Sequence, residues 1–285
     1  MSNSIVDVAA NTPSLSILVA AVQQAGLVDA LKDPEMKTVF APTNDAFQAL
    51  LDTNADWSTL EDIPTETLTS VLLFHVLGAK VASTDLTDTY VNTLATGPNA
   101  APISLQIETT GAIAFNGDSQ PVIVDVEASN GIVHVIDKVM LPPNVVTLAL
   151  NNGAFTTLVS ALTDVRHTTD FVAILSQTGP FTIFAPTNTA FQALLDSNTS
   201  WNTLADIPIA TLDAVLKYHV ISGVNVQGNQ LSDGPVDSIG GSITINGTKL
   251  VTSSNQEVTI LIGAATNDVQ GTNGVIHAID AVLLP

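Results

Sequence analysis

Four of the five histidines stand in short apolar runs, and they recur at matching places in the two halves of the chain. An imidazole can act as a base, a nucleophile or a metal ligand, so these residues are the first candidates for chemistry. Inside an apolar run, however, a histidine is more often a core residue with hydrogen-bonded ring nitrogens, because an unpaired buried polar atom costs about 1–3 kcal/mol. We therefore predict four structural core histidines: His75, His134, His219 and His277.

A metal site would need several ligands that converge on one point. Asp137 and Asp280 each follow a recurring histidine by three residues, but residues three apart in a strand point to opposite faces of a sheet. The chain has no cysteine, and no acidic segment follows the calcium-binding EF-hand pattern. We predict no metal ligands and no cofactor. His167 stands apart from the others and is predicted to be a solvated loop residue.

Signatures of common enzymes are absent from the sequence. There is no Gly-x-Ser-x-Gly elbow, no phosphate-binding glycine loop with Lys-Ser or Lys-Thr, and no His-Glu-x-x-His helix. We predict a protein that is not an enzyme and has no catalytic residues. A hydrolase assembled from a recurring histidine with a distant Asp and Ser remains an alternative, which depends on whether the histidines are exposed.

Charge excludes one large class of partners. The 285 residues contain 27 acidic and 7 basic side chains, for a formal net charge of −20. Such a chain repels a phosphate backbone and has few cations with which to release counterions, so we predict no nucleic-acid binding. No apolar run is long enough to span a membrane. The sequence starts without a basic and apolar leader, and we expect that a secretory signal was removed.

The two halves of the chain repeat one pattern. Phe-Ala-Pro-Thr-Asn occurs at 40–44 and again 144 residues later at 184–188, and 25 of 37 residues are identical between 40–76 and 184–220. A repeat of this length indicates two copies of one folding unit. We predict domains at residues 1–142 and 143–285. The second copy has four extra residues before its Phe-Ala-Pro-Thr-Asn segment.

Within each copy, the hydrophobic period changes from helical to extended. Leu15, Leu18, Val19 and Val22 follow the i, i+3, i+4, i+7 spacing of one helix face. Later segments alternate, as at residues 103–107 and 122–126, and are separated by turn dipeptides. Helices gathered early and strands gathered late predict an α+β fold, with helices packed against a curled antiparallel sheet.

The repeated motifs resemble the fasciclin family over essentially the whole chain. Phe-Ala-Pro-Thr-Asn precedes a short amphipathic helix, an aromatic-His-Val step follows, and an Asn-Gly box with a histidine and an aspartate ends each copy. In the two copies, these later motifs are Phe74-His75-Val76 with Asn130 to Asp137, and Tyr218-His219-Val220 with Asn273 to Asp280.

The resemblance implies a wedge-shaped β-sandwich flanked by helices in each of two fasciclin-like domains. It also implies candidate partner-binding residues, because a Tyr-His pair and an Asp-Ile step are linked to receptor binding in the family. The matching residues here are Tyr218, His219, Asp125, Val126, Asp268 and Val269. Phe74 stands in place of tyrosine in the first copy, and valine replaces isoleucine after both aspartates.

The function implied by the resemblance is adhesion. We predict a non-enzymatic protein that is secreted, periplasmic or on the cell surface. Its predicted partner is a cell-surface or matrix protein or polysaccharide, and homotypic association is a further prediction. The alternative is a carbohydrate-binding or calcium-assisted surface protein.

Overall fold

Helices come first and strands later in both halves of the chain. The computed structural model describes residues 3–263 and 266–285. Contacts divide the chain into two units, Met1–Thr96 with Pro102–Pro142 and Gly97–Ala101 with Pro143–Pro285. Met1 and Ser2, with which the first predicted domain begins, lie outside the described residues.

The first unit begins with three short helices, of which the first two are joined through a 3-10 turn at Pro13–Leu15, and its last two elements are paired strands. Its helices are α1 (Ile5–Ala10), α2 (Ser16–Gln24), α3 (Val28–Lys32), α4 (Asn44–Asp52) and α5 (Thr65–Phe74). Its strands are β1 (Lys37–Pro42), β2 (Val76–Leu77), β3 (Thr89–Thr96), β4 (Pro102–Glu108), β5 (Ala114–Phe115), β6 (Pro121–Ala128) and β7 (Gly131–Ile136).

The second unit repeats this order of elements. Its helices are α6 (Val145–Leu150), α7 (Thr156–Leu162), α8 (Phe171–Leu175), α9 (Asn188–Asp196) and α10 (Ile209–Tyr218). Its strands are β8 (Phe181–Pro186), β9 (Val220–Ser222), β10 (Gly234–Ser238), β11 (Gly241–Asn246), β12 (Lys249–Val251), β13 (Glu257–Thr259), β14 (Val269–Gly271) and β15 (Gly274–Ile279).

The predicted α+β class is confirmed, and the sheets add a feature that the periodicity did not predict. β1 pairs parallel with β7, and β8 pairs parallel with β15. The first unit has one sheet in the order β5-β4-β3-β2-β1-β7-β6, whereas the described strands of the second unit form two four-stranded sheets. Because parallel partners lie far apart in sequence, local hydrophobic patterns cannot show such a pairing.

The two parallel strands of the first unit are buried on both faces. Val39 and Val133 pack with the helices, while Phe40 and Ile136 pack on the opposite side in a cluster that includes Phe115. Every residue of β1 and β7 is buried. This double burial explains why most residues of both strands are apolar, without the alternation of apolar and polar residues that a half-exposed strand shows.

The repeated Thr-Asn pair starts a helix and ties it to its neighbour. Thr43 Oγ1 accepts a hydrogen bond from Ala46 N at 3.2 Å and caps α4. Asn44 Oδ1 accepts from Ile17 N, in α2, at 2.9 Å. Thr187 caps α9 in the same way. The motif is therefore a structural joint, which explains its occurrence in both units.

The asparagine of the Asn-Gly box joins three segments. Asn130 is buried, and its Oδ1 accepts from Ile5 N at 2.9 Å. Its Nδ2 donates to Leu31 O and Asp33 O, both at 2.8 Å. Asn130 thus ties the start of α1 and the end of α3 to the beginning of β7. In the second unit, Asn273 does the same for α6 and α8.

The glycine of the box is required by both conformation and space. Gly131 has φ +151°, and a Cβ atom there would lie 2.0 Å from Lys37 O. Gly274 has φ +158°, and its Cβ would lie 2.3 Å from Phe181 O. No side chain fits this close approach to the neighbouring parallel strand, so glycine sets the register there.

Candidate functional site

One histidine of each unit joins the end of a helix to the last segment of its unit. His75 Nδ1 lies 2.7 Å from Val71 O, and its Nε2 accepts from Met140 N at 3.0 Å. A carbonyl oxygen only accepts and an amide N–H only donates, so the ring is neutral with its proton on Nδ1. Both ring nitrogens are used by the main chain, which leaves no atom to bind a substrate or an ion.

The matching histidine of the second unit has the same surroundings. His219 Nδ1 lies 2.7 Å from Val215 O, and its Nε2 accepts from Leu283 N at 2.9 Å. Burial lowers the pKa of both His75 and His219 to about 4, because the charged ring would lose its hydration. Each ring is therefore neutral near pH 7.

The other histidine of the first unit has the opposite tautomer. His134 Nδ1 accepts from Asp125 N at 3.2 Å, so the proton is on Nε2, which lies 3.0 Å from Val81 O. In the second unit, His277 Nε2 lies 2.7 Å from Val226 O. Burial is the main cause that lowers the pKa of His277. Both rings lie fully inside their units.

Asp125 and Asp268 have a left-handed backbone next to these histidines, with φ 59° and 56°. At Asp125, this conformation lies in an irregular stretch of the β6–β7 pairing. The Asp125 carboxylate accepts from Ser83 N at 2.8 Å and from Ser83 Oγ, and these hydrogen bonds are the main cause that lowers its pKa. Asp268 Oδ1 accepts from Gln270 Nε2 at 2.8 Å. The two carboxylates hold loops and remain partly exposed.

Tyr218, His219 and Val269 do not reach the surface. Tyr218 is 1% exposed, and its hydroxyl donates to Ser242 O at 2.7 Å and accepts from Ser253 N at 3.2 Å. His219 and Val269 are each 2% exposed. A partner cannot contact these side chains while the fold is intact, which corrects the assignment that the resemblance implied. Val126 is half-buried against the helices of the first unit.

His167 also differs from its sequence-based prediction. Its side chain is 3% exposed and contacts the Asp213 carboxylate through Nδ1. Its Nε2 lies 2.7 Å from Ala161 O, and its ring meets the edge of Phe171 at a centroid distance of 5.0 Å. The prediction of a solvated loop residue is wrong, because the four-residue insertion folds back over the end of α7.

An exposed apolar strip lies on β6, at the edge of the first unit's sheet. Val122, Ile123 and Val124 are 58%, 50% and 39% exposed. We call these three residues the β6 strip. Residues 122–126 alternate in the sequence, but two irregularities in the β6–β7 register leave all three side chains facing solvent. At the positions that match Ile123 and Val124, the second unit has Thr266 and Asn267.

Residues 3–263 and 266–285 contain neither a cluster of metal ligands nor a membrane-spanning helix. No group of three or more His, Cys, Asp or Glu residues there is placed to hold a metal ion. None of the helices in those ranges is both long enough and apolar enough to cross a bilayer.

The sequence and the fold both match known proteins. The fasciclin domain model matches residues 13–142 and 153–285. Protein sll1735 of Synechocystis sp. is 38% identical over 143 residues, which are 50% of this chain and 98% of that protein. Human periostin is 26% identical over 261 residues, which are 87% of this chain but only 28% of periostin.

A solved structure shares the two-domain architecture. It is the FAS1 domain pair from the insect cell adhesion molecule Fasciclin I, with a TM-score of 0.52 and 17% sequence identity. The match covers 95% of this chain and 97% of that one. At this identity, the likeness concerns the fold.

Proposed function

This chain belongs to the fasciclin family, and from that premise we propose that it is a non-enzymatic adhesion protein. It acts outside the cytoplasm and binds another protein through the β6 strip of its first domain. The exposed strip is the observation that carries this proposal. Contiguous exposed apolar side chains are typical of a contact surface, whereas scattered ones are common on any protein.

The recurrent histidines support a role without catalysis. A general base or nucleophile needs an atom within reach of a substrate. His75 and His219 have both ring nitrogens bonded to main-chain atoms of their own unit. His134 is bonded to Asp125 N and Val81 O. These histidines hold the fold together, and the hydrolase alternative has no support from their geometry.

The charge around the β6 strip favours a basic partner. Asp125 and Glu127 follow the strip on the same strand, and the chain as a whole has a net charge of −20. Lys80 pairs with Glu127 at 2.7 Å and is a nearby cation. A second copy of the chain would bring a like charge to the contact. A protein surface with apolar side chains surrounded by Lys or Arg is complementary in both respects.

Replacing the strip tests this proposal. The variant Val122→Thr/Ile123→Thr/Val124→Thr keeps β-branched side chains but replaces one alkyl branch of each with a hydroxyl, which reduces the exposed apolar area. The matched control Val165→Thr/Val224→Thr/Ile239→Thr changes three exposed apolar residues that are separated in the sequence of the second unit. Beads that carry each full chain are measured for adhesion to immobilised matrix proteins, to immobilised polysaccharides and to the chain itself.

We expect the strip variant to bind matrix protein at least about tenfold more weakly, which corresponds to about 1.4 kcal/mol. The control should bind like the unchanged chain, and binding should weaken as salt is raised because opposite charges take part. Unchanged adhesion by the strip variant would refute the proposal. Adhesion only to polysaccharide, or only to the chain itself, would replace the proposed partner with one of those two.

A further inference from the structure

The first unit contains an apolar cavity between its first three helices and its sheet. The cavity has a volume of about 250 Å³. Side chains of α1, α2, α3, β1 and β7 line it, among them Ile5, Leu18, Val22, Leu31, Val39 and Val133. Protein interiors are close-packed, with few voids larger than a water molecule, so a space of this size is unusual. The cavity opens to solvent beside the exposed Gln23 and Lys32.

The cavity has little to offer a polar ligand. The His75 ring is part of the lining, but both of its nitrogens are already hydrogen-bonded. Gln23 and Lys32, which also border the cavity, belong to the exposed face of their helices. The Asp7 carboxylate accepts hydrogen bonds from Ser4. The chemistry of the lining therefore selects a neutral apolar molecule.

The volume is sufficient for a small ring. An engineered apolar cavity of about 150 Å³ stays dry and binds benzene or xenon. The cavity of the first unit is larger, at about 250 Å³. A molecule that fills it would regain the dispersion contacts that the lining side chains lack on their inner side.

The second unit has a smaller cavity in the corresponding place. Its volume is about 100 Å³, and it is bounded by α6, α7, α8, β8 and β15. Larger side chains at several positions of the second unit account for the smaller volume, and the change from Ile5 to Val145 is in the opposite direction. The enlargements include Ala10 to Leu150, Val22 to Leu162, Leu27 to Phe171, Val39 to Ile183 and Val133 to Ile276.

We propose that the first unit binds a small neutral apolar molecule, with one ring or a short alkyl chain, inside this cavity, and that the second unit does not. This inference does not depend on the adhesion proposal, since none of the residues that line the cavity belongs to the β6 strip. The two units of one chain provide the site and its internal control.

Benzene titration of the full chain tests the site. Methyl resonances are followed by NMR while benzene is added to its solubility limit. We expect saturable shifts at Val19, Val22, Val39 and Val133, and no saturable shift at Val159, Leu162, Ile183 and Ile276. The proposal is wrong if the first group does not shift, and also if both groups shift to the same extent.

Exchange of the lining between the units sharpens the test. Val22→Leu/Leu27→Phe/Val39→Ile/Val133→Ile gives the first unit the side chains that the second unit already holds at these places. We expect at least about a tenfold loss of benzene affinity. The double variant Val39→Ile/Val133→Ile should lose part of the benzene affinity. It replaces the fourfold variant in the test if that variant does not fold.

The reverse variant, Leu162→Val/Phe171→Leu/Ile183→Val/Ile276→Val, enlarges the smaller cavity and should gain binding in the second unit. Adhesion measured on the same variants separates the two proposals, because filling the cavity should leave bead adhesion unchanged. If the fourfold variant of the first unit still bound benzene with unchanged affinity, the cavity would not be the binding site.

Discussion

The two domains have kept the same hydrogen-bonded joints but not the same apolar packing. Asn130 and Asn273 each bond three main-chain atoms at distances that agree within 0.1 Å. The cavities beside these joints, in contrast, have volumes of about 250 Å³ and 100 Å³.

The difference follows from the physics of the two kinds of contact. A buried hydrogen bond needs a particular donor and acceptor, and removal of one leaves the other unpaired at a cost of about 1–3 kcal/mol. Apolar packing tolerates a change of one or two methylene groups, usually for less than about 1.5 kcal/mol when volumes compensate. Repeated units therefore diverge first in their packing.

Removal of the asparagine side chain that joins three segments should have the largest effect on the stability of each domain. We expect Asn130→Ala to destabilise the first domain by about 4 kcal/mol, because three main-chain groups, two of them buried, lose their partner. Asn273→Ala should cost the second domain a similar amount. Each domain contains one tryptophan, Trp57 or Trp201. Urea unfolding followed by fluorescence, in a Trp201→Phe or a Trp57→Phe background, therefore reports each domain alone.

If either asparagine variant lowered the free energy of unfolding of its domain by less than about 1 kcal/mol, the joint would not be equivalent in the two units. The exposed substitution Gln48→Ala is the control for the first domain. Its side chain bonds only Asp52, at 2.9 Å on the surface of α4, so unfolding should change little.

Acid tests the equivalence of His75 and His219. The pKa of both rings is about 4 in the folded state, against 6.5 for an ordinary histidine. Between these values the unfolded chain binds more protons, so stability is highest above pH 6.5 and falls as the pH is lowered toward 4. Each histidine should contribute a loss of about 3 kcal/mol over this range.

Urea unfolding of the single-tryptophan chains at several pH values from 7 to 4 measures this loss in each domain. His75→Gln should flatten the pH dependence of the first domain only, and His219→Gln that of the second only. An unchanged slope in the variants would mean that other groups cause the acid sensitivity.

The smallest effect concerns Tyr218, where the first domain has Phe74. Tyr218→Phe removes a hydroxyl bonded to Ser242 O and Ser253 N. We expect a loss of about 1 kcal/mol in the second domain, the usual net value of such a hydrogen bond. Adhesion should not change, because the ring is buried. Weaker adhesion with unchanged stability would restore Tyr218 as a contact residue.

Sequence patterns were sufficient for features that are local or repeated. The Leu18 and Val22 spacing predicts a helix that is present as α2, and Asn130-Gly131 predicts the turn between β6 and β7. Side-chain contacts between distant elements could not be obtained in this way. His167 illustrates the limit, since its partner Asp213 lies 46 residues away on α10.

The sequence by itself determined the duplication, the order of helices and strands, and the placement of four histidines in apolar segments, because these depend on residue type and spacing. Only the tertiary structure decided the tautomers of His75, His134 and His219, the parallel pairing of β1 with β7, the exposure of the β6 strip and the size of the two cavities. Each of these depends on atoms that come together from distant segments. Cavity volume in particular is the small difference between the space that the elements enclose and the side chains that fill it.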